Sequence, residues 1–110
     1  MLSVGASTIH FYRGPADMRK SFNGLSALVL QAFDEPLTGG SFFLFVNRRR
    51  TMLKVLYWDQ DGLALWCKRL ERGTFKVRWD GQPELTRRDF SLLLEGVTPK
   101  RLNKRYKVGE

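Results

Sequence analysis

The chain has 110 residues, a length typical of one domain, and 43% of them are hydrophobic, which is enough to close a core. No apolar run reaches the roughly 20 residues that span a bilayer, and one cysteine with one histidine are too few for a disulfide or a four-ligand zinc site. Nineteen lysines and arginines against eleven aspartates and glutamates give a net charge of +8. The composition therefore excludes a disordered chain, a disulfide scaffold and a zinc finger. It predicts a cytoplasmic protein whose natural partners are polyanions rather than a membrane.

The first elements predicted in chain order are a short strand and an amphipathic helix. Residues 9–12 are aromatic and branched, as strand residues are. Apolar residues recur at three- and four-residue steps over residues 18–33, which predicts a helix with one buried face. Residues 14–17 contain a proline and an aspartate suited to the first turn, and residues 34–36 end the helix.

Four further strands are predicted after residue 41, where aromatic and branched residues occur in short runs separated by turn residues. The predicted strands are 42–46, 52–58, 63–70 and 74–79. Two of the short connections contain a glycine, Gly62 and Gly73, which suits the positive φ of a hairpin turn. We therefore predict an α+β fold, a four-stranded antiparallel meander with two helices, which residues 9–12 could extend by one N-terminal strand.

A second helix is predicted to begin at Thr86. Thr86 and Asp89 have the spacing of a capping box, and Leu85 can pack against Phe90 as a hydrophobic staple. Gly96 suits the left-handed position after the last turn. The apolar stripe of this helix consists of Phe90, Leu93, Leu94 and Val97.

The end of the sequence differs in composition from the rest. After Pro99 it carries five cations and one carboxylate with little apolar periodicity. Such a segment has few groups to bury, and we expect it to be a mobile arm. The predicted organisation is a single domain over residues 1–98 and a basic C-terminal tail over residues 99–110.

The candidate catalytic residues are few. Asp59 and Asp61, with Glu71 downstream, could hold a divalent metal for phosphoryl chemistry, but an Asp-x-Asp-Gly sequence between two strands is more typical of a tight turn. His10 has no serine or cysteine partner at a recognisable spacing, and Cys67 is predicted to be a small packed residue. We predict no catalytic residue, no metal site and no cofactor, and hence no enzyme.

Three consecutive arginines, Arg48, Arg49 and Arg50, lie in the predicted connection between the first two meander strands. Like charges repel there and no acidic neighbour is close in sequence, so we expect the fold to gain nothing from them. They could keep a sheet edge soluble, but the guanidinium fork suits phosphate oxygens better than an ammonium does. We predict that this turn is a phosphate clamp.

One face of the predicted sheet would combine cations with aromatic rings, if the later hairpins pair as their short loops indicate. The residues predicted on that face are Lys54, Trp58, Trp66, Lys68, Lys76 and Arg78. The residues predicted on the opposite, core face are Leu53, Val55, Tyr57, Leu63, Leu65, Cys67, Val77 and Trp79. The mixed face could follow a nucleic-acid backbone while tryptophans stack on bases, or lysine stems and a helix could cover the tryptophans.

Arg87 and Arg88 stand in the first turn of the second predicted helix, where cations oppose the helix dipole. A phosphate bound at this helix start would receive both the free backbone N–H groups and the guanidinium groups. The alternative is a screened surface charge without consequence.

Five separated blocks of the sequence carry a family resemblance. They are DMRKSFNGL (17–25), FFLFVNRR (42–49), KVLYWDQDGL (54–63), KRLERGTF (68–75) and LLLEG (92–96). In this order they resemble the TnpB accessory proteins of the insertion sequence sixty-six family, small proteins that the second open reading frame of bacterial transposable elements encodes. The resemblance covers roughly residues 8–97.

The resemblance implies participation in transposition beside a separate, larger transposase that holds the catalytic carboxylates. Together with the basic charge, it predicts a non-catalytic accessory protein that binds DNA and helps the transposase to assemble on it. Two other functions stay open at this point. The chain could be an adaptor that binds the transposase directly, or a metal-dependent nuclease.

Overall fold

The computed structural model describes residues 2, 5 and 7–95. Its strands are β1 (Ile9–Pro15), β2 (Phe42–Val46), β3 (Met52–Asp59), β4 (Gly62–Arg69) and β5 (Glu84–Leu85), and its helices are α1 (Phe22–Ala32) and α2 (Arg87–Leu94). The strands form one sheet in the order β4-β3-β2-β1-β5. The predicted α+β class and the N-terminal strand are confirmed.

The predicted antiparallel meander is only partly correct, because the sheet is mixed. The pairs β2–β3, β3–β4 and β1–β5 are antiparallel, whereas β1 and β2 are parallel with Ile9 beside Phe42. A parallel pair requires a crossover connection. Helix α1 lies in the connection between these two strands, and its presence is what makes the parallel arrangement possible.

The predicted strand at 74–79 is wrong. This segment contains no strand, and β5 is formed later by Glu84–Leu85. Phe75 is buried, and Val77 and Trp79 pack partly buried against the same core cluster. The alternation of apolar residues that resembled a strand therefore reflects an irregular segment lying over one face of the sheet.

Strand β2 lies in the middle of the sheet and is buried along its whole length. Its five residues are all apolar because both faces of the sheet are covered. On one face the core residues are Ala16, Leu25, Val29, Phe43, Phe45 and Leu56. On the other face they are Ile9, Phe11, Phe42, Leu44, Val46, Leu53, Val55, Phe75, Phe90, Leu93 and Leu94. Helix α1 thus packs on one face and α2 on the other.

The two helices follow their predicted bounds to different degrees. Helix α1 begins at Phe22, four residues after the predicted start, because residues 14–17 end β1 and form a loop. Helix α2 has the predicted N-cap, in which the Thr86 hydroxyl accepts a hydrogen bond from the Asp89 N–H at 3.1 Å. Neither helix within the described residues is long and apolar enough to cross a membrane. The predictions for Gly96, Val97 and the tail over 99–110 lie outside the described residues.

Candidate nucleic-acid interface

The β2–β3 turn is closed by the side chain of Asn47. Its Oδ1 accepts hydrogen bonds from the N–H groups of Thr51 and Met52 at 2.9 and 3.0 Å. The backbone N–H of Asn47 donates to the Met52 carbonyl at 3.1 Å. Arg48 and Arg49 lie at the tip of this turn and are exposed. The turn therefore presents two guanidinium groups to solvent from a backbone that local hydrogen bonds hold in place.

Arg50 differs from its two neighbours because it is half-buried and stabilises the fold. Its Nε donates to the Val77 carbonyl at 3.1 Å, and its guanidinium lies 4.6 Å from the centroid of the Trp79 ring. The Arg50 carbonyl accepts from the Phe75 N–H at 2.6 Å. Residues 75–79 are thus attached to the turn through Arg50. The expectation that the fold gains nothing from the three arginines is wrong for this one.

Two predicted phosphate-binding lysines are bound to backbone carbonyls inside the structure. Lys54 is only 8% exposed, and its Nζ donates to the carbonyls of Met18 and Lys20 at 2.8 and 2.7 Å. Lys68 Nζ donates to the Leu94 carbonyl at 2.5 Å, at the C-terminal end of α2. Cations there satisfy carbonyls that the helix leaves unpaired. Lys54 and Lys68 therefore hold the loop before α1 and the end of α2 in place.

The mixed face of cations and aromatic rings predicted for the sheet does not form. The two-residue turn pairs Asp59 with Gly62, which puts Lys54 opposite Cys67. Lys54 and Trp58 therefore share a face with the odd-numbered residues of β4. Trp66 and Lys68 lie on the other face, and Cys67 is exposed rather than packed.

The tryptophans predicted to stack on bases are both half-buried. Trp66 packs against the core cluster on the α2 face of the sheet. The Trp58 Nε1 donates to the Gln60 carbonyl at 3.0 Å, which fixes its ring beside the β3–β4 turn. Each ring thus has contacts within the fold, and the two lie on opposite faces.

Lys76 and Arg78 are exposed in the segment that follows β4. Lys76 Nζ donates to the Thr74 hydroxyl at 3.3 Å, and Arg78 forms an ion pair with Asp80 at 3.2 Å. The hydrogen bond from Arg78 lowers the pKa of Asp80 and raises that of Arg78 itself. Both cations extend into solvent on the part of the chain that Arg50 holds.

Strand topology brings three basic segments to one end of the sheet. The β2–β3 turn lies there, and β4 ends there because Arg69 pairs with Met52. Strand β1 runs parallel to β2 and ends beside it, with Pro15 next to Val46, so the loop 16–21 lies at the same end. We call residues 16–21, 47–51 and 69–78 the basic end.

The exposed cations of the basic end are Arg19, Lys20, Arg48, Arg49, Arg69, Arg72, Lys76 and Arg78. Four of them, Arg19, Lys20, Arg69 and Arg72, were not among the predicted site residues. The position of Arg69 and Arg72 follows from hairpin pairing alone, so it could have been predicted. The position of Arg19 and Lys20 depends on the parallel β1–β2 pair, which no local sequence pattern indicates.

Carboxylates at the basic end neutralise only part of this charge. Asp17 pairs with Arg19 at 2.8 Å, and hydrogen bonds from that arginine lower the pKa of Asp17 to about 2. Glu71 lies 4.0 Å from Arg69. Among the described residues no carboxylate lies within ion-pair distance of Arg48, Arg49 or the nearby Lys76 and Arg72. An excess of unpaired positive charge therefore remains at this end.

The opposite end of the sheet contains the β3–β4 turn with Asp59 and Asp61. Gln60 has a φ of 58°, so it occupies the left-handed conformation that was predicted for Gly62. The Asp61 N–H donates to the Asp59 carbonyl at 2.6 Å. Asp61 is a turn residue, as predicted, whereas Asp59 is the last residue of β3 and pairs with Gly62. Within the part of the chain that the structure describes, no three His, Cys, Asp or Glu side chains come together as metal ligands would.

Arg87 and Arg88 also lie at this opposite end. Strand β5 is antiparallel to β1 and pairs Leu85 with Ile9, so α2 begins beyond the N-terminal end of β1. An Arg87 guanidinium nitrogen donates to the Gly5 carbonyl at 2.7 Å, and Arg88 is exposed. The structure therefore separates these two arginines from the β2–β3 turn by the length of the sheet.

A polar cluster of the buried His10 and Ser41 and the half-buried Glu35 lies at the same end. The Glu35 carboxylate accepts a hydrogen bond from the Ser41 hydroxyl at 2.6 Å and pairs through its other oxygen with His10 Nε2. These contacts, the serine hydrogen bond first, lower the pKa of Glu35. The His10 ring stacks on Phe43. Because the serine bonds to the glutamate and not to the histidine, the cluster is not arranged as a serine nucleophile with its base.

The chain matches the family described as IS66 Orf2 like protein over residues 7–104. It belongs to this family. Among curated proteins, uncharacterized protein y4jC of Sinorhizobium fredii is 38% identical over 86 residues, which cover 76% of this chain and 73% of that protein. Uncharacterized protein y4hO of the same organism is 37% identical over 62 residues, or 56% of this chain and 54% of that protein. No solved structure matches the chain.

The matched residues include every described strand and helix, and with them the turns at both ends of β3. It confirms the resemblance found in the sequence and extends past it to residue 104. Membership associates the chain with insertion-sequence transposition in an accessory role.

Proposed function

We propose that this IS66 Orf2 like protein is a non-catalytic accessory of transposition that binds the phosphate backbone of DNA through its basic end. Family membership supports the process, and the charge distribution supports the mode of binding. In this proposal DNA is the direct binding partner, and the transposase is the protein whose assembly on DNA the accessory assists.

One observation carries the proposal. Three separate segments of the chain bring eight exposed cations to one end of the sheet. Phosphate contacts depend on such positive charge and on N–H donors, and they position a protein on DNA without reading sequence. No nucleophile or general base takes part in binding of this kind. The buried lysines contribute indirectly, because Lys54 fixes the loop that presents Arg19 and Lys20.

The test is a binding experiment in a salt series with a charge-matched control. The protein is titrated against a duplex of element-end sequence and an unrelated duplex of equal length. The variant Arg48→Ala/Arg49→Ala removes two cations from the basic end, and Arg87→Ala/Arg88→Ala removes two from the opposite end. Each lost phosphate contact reduces the slope of log affinity against log salt by about 0.9.

We expect the first variant to reduce the slope by about 2 and the second to leave it near the wild-type value. Equal reductions in both variants would show diffuse charge binding rather than a site. A wild-type slope in Arg48→Ala/Arg49→Ala would remove the basic end from the interface. Equal affinity for the two duplexes is expected, since backbone contacts carry no sequence information.

A second candidate function, an adaptor that binds the transposase directly, is favoured by the outer face of α1. The 11 residues of this helix include no charged side chain, and Phe22 and Leu30 are 43% and 63% exposed. Exposed apolar groups on an uncharged helix suit a protein contact. Phe22→Gln/Leu30→Gln would then abolish co-purification with the transposase in the absence of DNA, at an unchanged salt slope. A complex that survives this change would exclude the α1 face.

A further inference from the structure

Strand β4 is an edge strand, and no other described strand or loop pairs with its outer side. It is last in the strand order and pairs only with β3 among the described strands. None of the backbone hydrogen bonds formed by the described loops reaches residues 62–69. An edge of this length presents a row of unpaired N–H and C=O groups, which is a template for another strand.

The sequence of this edge lacks the usual protection against pairing. Residues 63–67 carry no charge, and the strand contains neither a proline nor a bulge. Lys68, the first cation in the strand, is directed to the Leu94 carbonyl on α2. The edge is therefore eight residues long, regular and apolar through its middle.

The two ends of β4 carry opposite charges. Asp61 precedes the strand in the β3–β4 turn and Asp59 ends β3 beside it, while the exposed Arg69 ends β4. A strand with a negative start, an apolar middle and a positive end is complementary to itself when two copies run antiparallel. In a register centred on Leu65, Arg69 of each copy lies opposite Asp61 of the other, which makes two symmetric cross-strand ion pairs.

We propose that a second copy of this chain pairs with β4, antiparallel and about a two-fold axis at Leu65. The two five-stranded sheets become one continuous sheet of about ten strands by edge-to-edge addition. Charge complementarity selects a second copy as the occupant, because the same strand supplies both signs. The two-fold axis directs the two basic ends in opposite directions, so that a dimer offers two separate phosphate-binding surfaces. This last consequence alone rests on the proposed function.

The outward-facing backbone groups can be assigned from the register. The pair that flanks a two-residue hairpin turn exchanges hydrogen bonds, and bonded pairs then alternate along the ladder. With Asp59 paired to Gly62, the even-numbered residues of β4 bond to β3. Leu63, Leu65 and Cys67 therefore direct their N–H groups outward. A proline at Cys67 removes one of these donors without removing a bond to β3.

A charge exchange measured by sedimentation velocity without nucleic acid tests the proposal. Wild-type protein is expected to form a dimer in a concentration-dependent way. Arg69→Asp alone and Asp61→Arg alone each place like charges opposite each other, and each should raise the dimer dissociation constant by about tenfold or more. A mixture of the two single variants restores both attractive pairs and should dimerise like the wild type. The double variant Arg69→Asp/Asp61→Arg should do the same.

Cys67→Pro provides a second, independent variant, with circular dichroism as the check that it folds. It should remain folded and monomeric at concentrations at which the wild type is dimeric. Wild-type protein that stays monomeric, or single variants that dimerise normally, would overturn the proposal. The proposal would also be overturned if the amides of β4 gained protection from hydrogen exchange only when transposase is added. That result would assign the edge to a different partner. Because no nucleic acid is present, these outcomes are independent of the DNA-binding proposal.

Discussion

The turns at the two ends of β3 share a backbone feature and differ in the groups that compensate for it. Arg50 in the β2–β3 turn has a φ of 60°, and Gln60 in the β3–β4 turn has a φ of 58°. Non-glycine residues rarely adopt this left-handed conformation, because the Cβ then approaches the following carbonyl. Arg50 is held by its side chain, through Val77 and Trp79. Gln60 is instead held through its backbone, because its carbonyl accepts a hydrogen bond from the Trp58 Nε1.

The comparison separates two kinds of cation that look alike in the sequence. Arg48 and Arg49 extend into solvent, whereas Arg50 and Lys54 are bound within the fold. A basic turn can therefore serve the fold and a ligand with adjacent residues. In the monomer the β3–β4 turn serves only the fold, with Asp61 in the turn and Asp59 at the end of β3. Four sets of substitutions test how the two ends of the sheet differ, in order of decreasing effect.

The largest effect is expected for Lys54→Met at the basic end. Methionine keeps most of the apolar stem but leaves the carbonyls of Met18 and Lys20 without their charged donor. The loss should be about 2 to 3 kcal/mol of unfolding free energy, measured by urea denaturation. The matched control is Lys76→Met, an exposed lysine that should change stability by less than about 0.5 kcal/mol. Equal effects at the two lysines would show that the Lys54 contacts do not stabilise the fold.

Glu35→Gln should have the next largest effect, at the opposite end of the sheet. It weakens the contacts with Ser41 and His10, and we expect a loss of about 1 to 2 kcal/mol near neutral pH. The pKa of Glu35 is lowered in the folded state, so its stabilisation is complete above the ordinary value of 4.5 and disappears as the pH falls through the lowered pKa. Thermal unfolding between pH 6 and 3 should therefore show a flatter pH dependence in the variant. An unchanged pH dependence would contradict the assignment.

Glycine substitutions at Gln60 and Arg50, the two described non-glycine residues with positive φ, should change stability differently. Gln60→Gly removes backbone strain and no side-chain contact that holds another segment, so we expect a gain of about 0.5 to 1 kcal/mol. Arg50→Gly removes the same strain but also the contacts with Val77 and Trp79, and it should be neutral or destabilising by about 1 kcal/mol. Arg50→Ala should be less stable than Arg50→Gly, because alanine keeps the strain. Unfolding midpoints in urea would rank the three variants, and a gain in Arg50→Gly as large as in Gln60→Gly would refute the structural role of the arginine.

The smallest effect is expected for Asp59→Asn/Asp61→Asn. Asparagine retains the local hydrogen bonding of a turn, so the fold should keep its stability within about 0.5 kcal/mol. DNA affinity should be unimpaired or slightly higher, because two negative charges are lost. Calorimetric titration with Mg²⁺ and Mn²⁺ should give no saturable binding in the wild type. Saturable metal binding that the double variant loses, together with nuclease activity, would overturn the proposal of a non-catalytic role.

Local patterns predicted most of the secondary structure. The predicted bounds of β2 were correct because a short run of five apolar residues between turn residues is typical of a strand buried on both faces. Those of β3 and β4 were nearly so, and Thr86 was correct as the N-cap because capping depends on residues three positions apart. The segment 74–79 misled the prediction because burial on one side gives the same alternation whether or not a neighbouring strand is bonded.

By itself, the sequence determined the α+β class, the basic charge, the family and the three arginines of one turn. Only the tertiary structure decided which cations are free to bind a ligand. The carbonyls that bind Lys54 and Lys68 come from residues 26 to 36 positions away, and no local pattern encodes such a contact. The parallel β1–β2 pair likewise brings Arg19 and Lys20 beside the β2–β3 turn through a helical crossover. Both results depend on pairings between distant segments, which packing of the whole core selects.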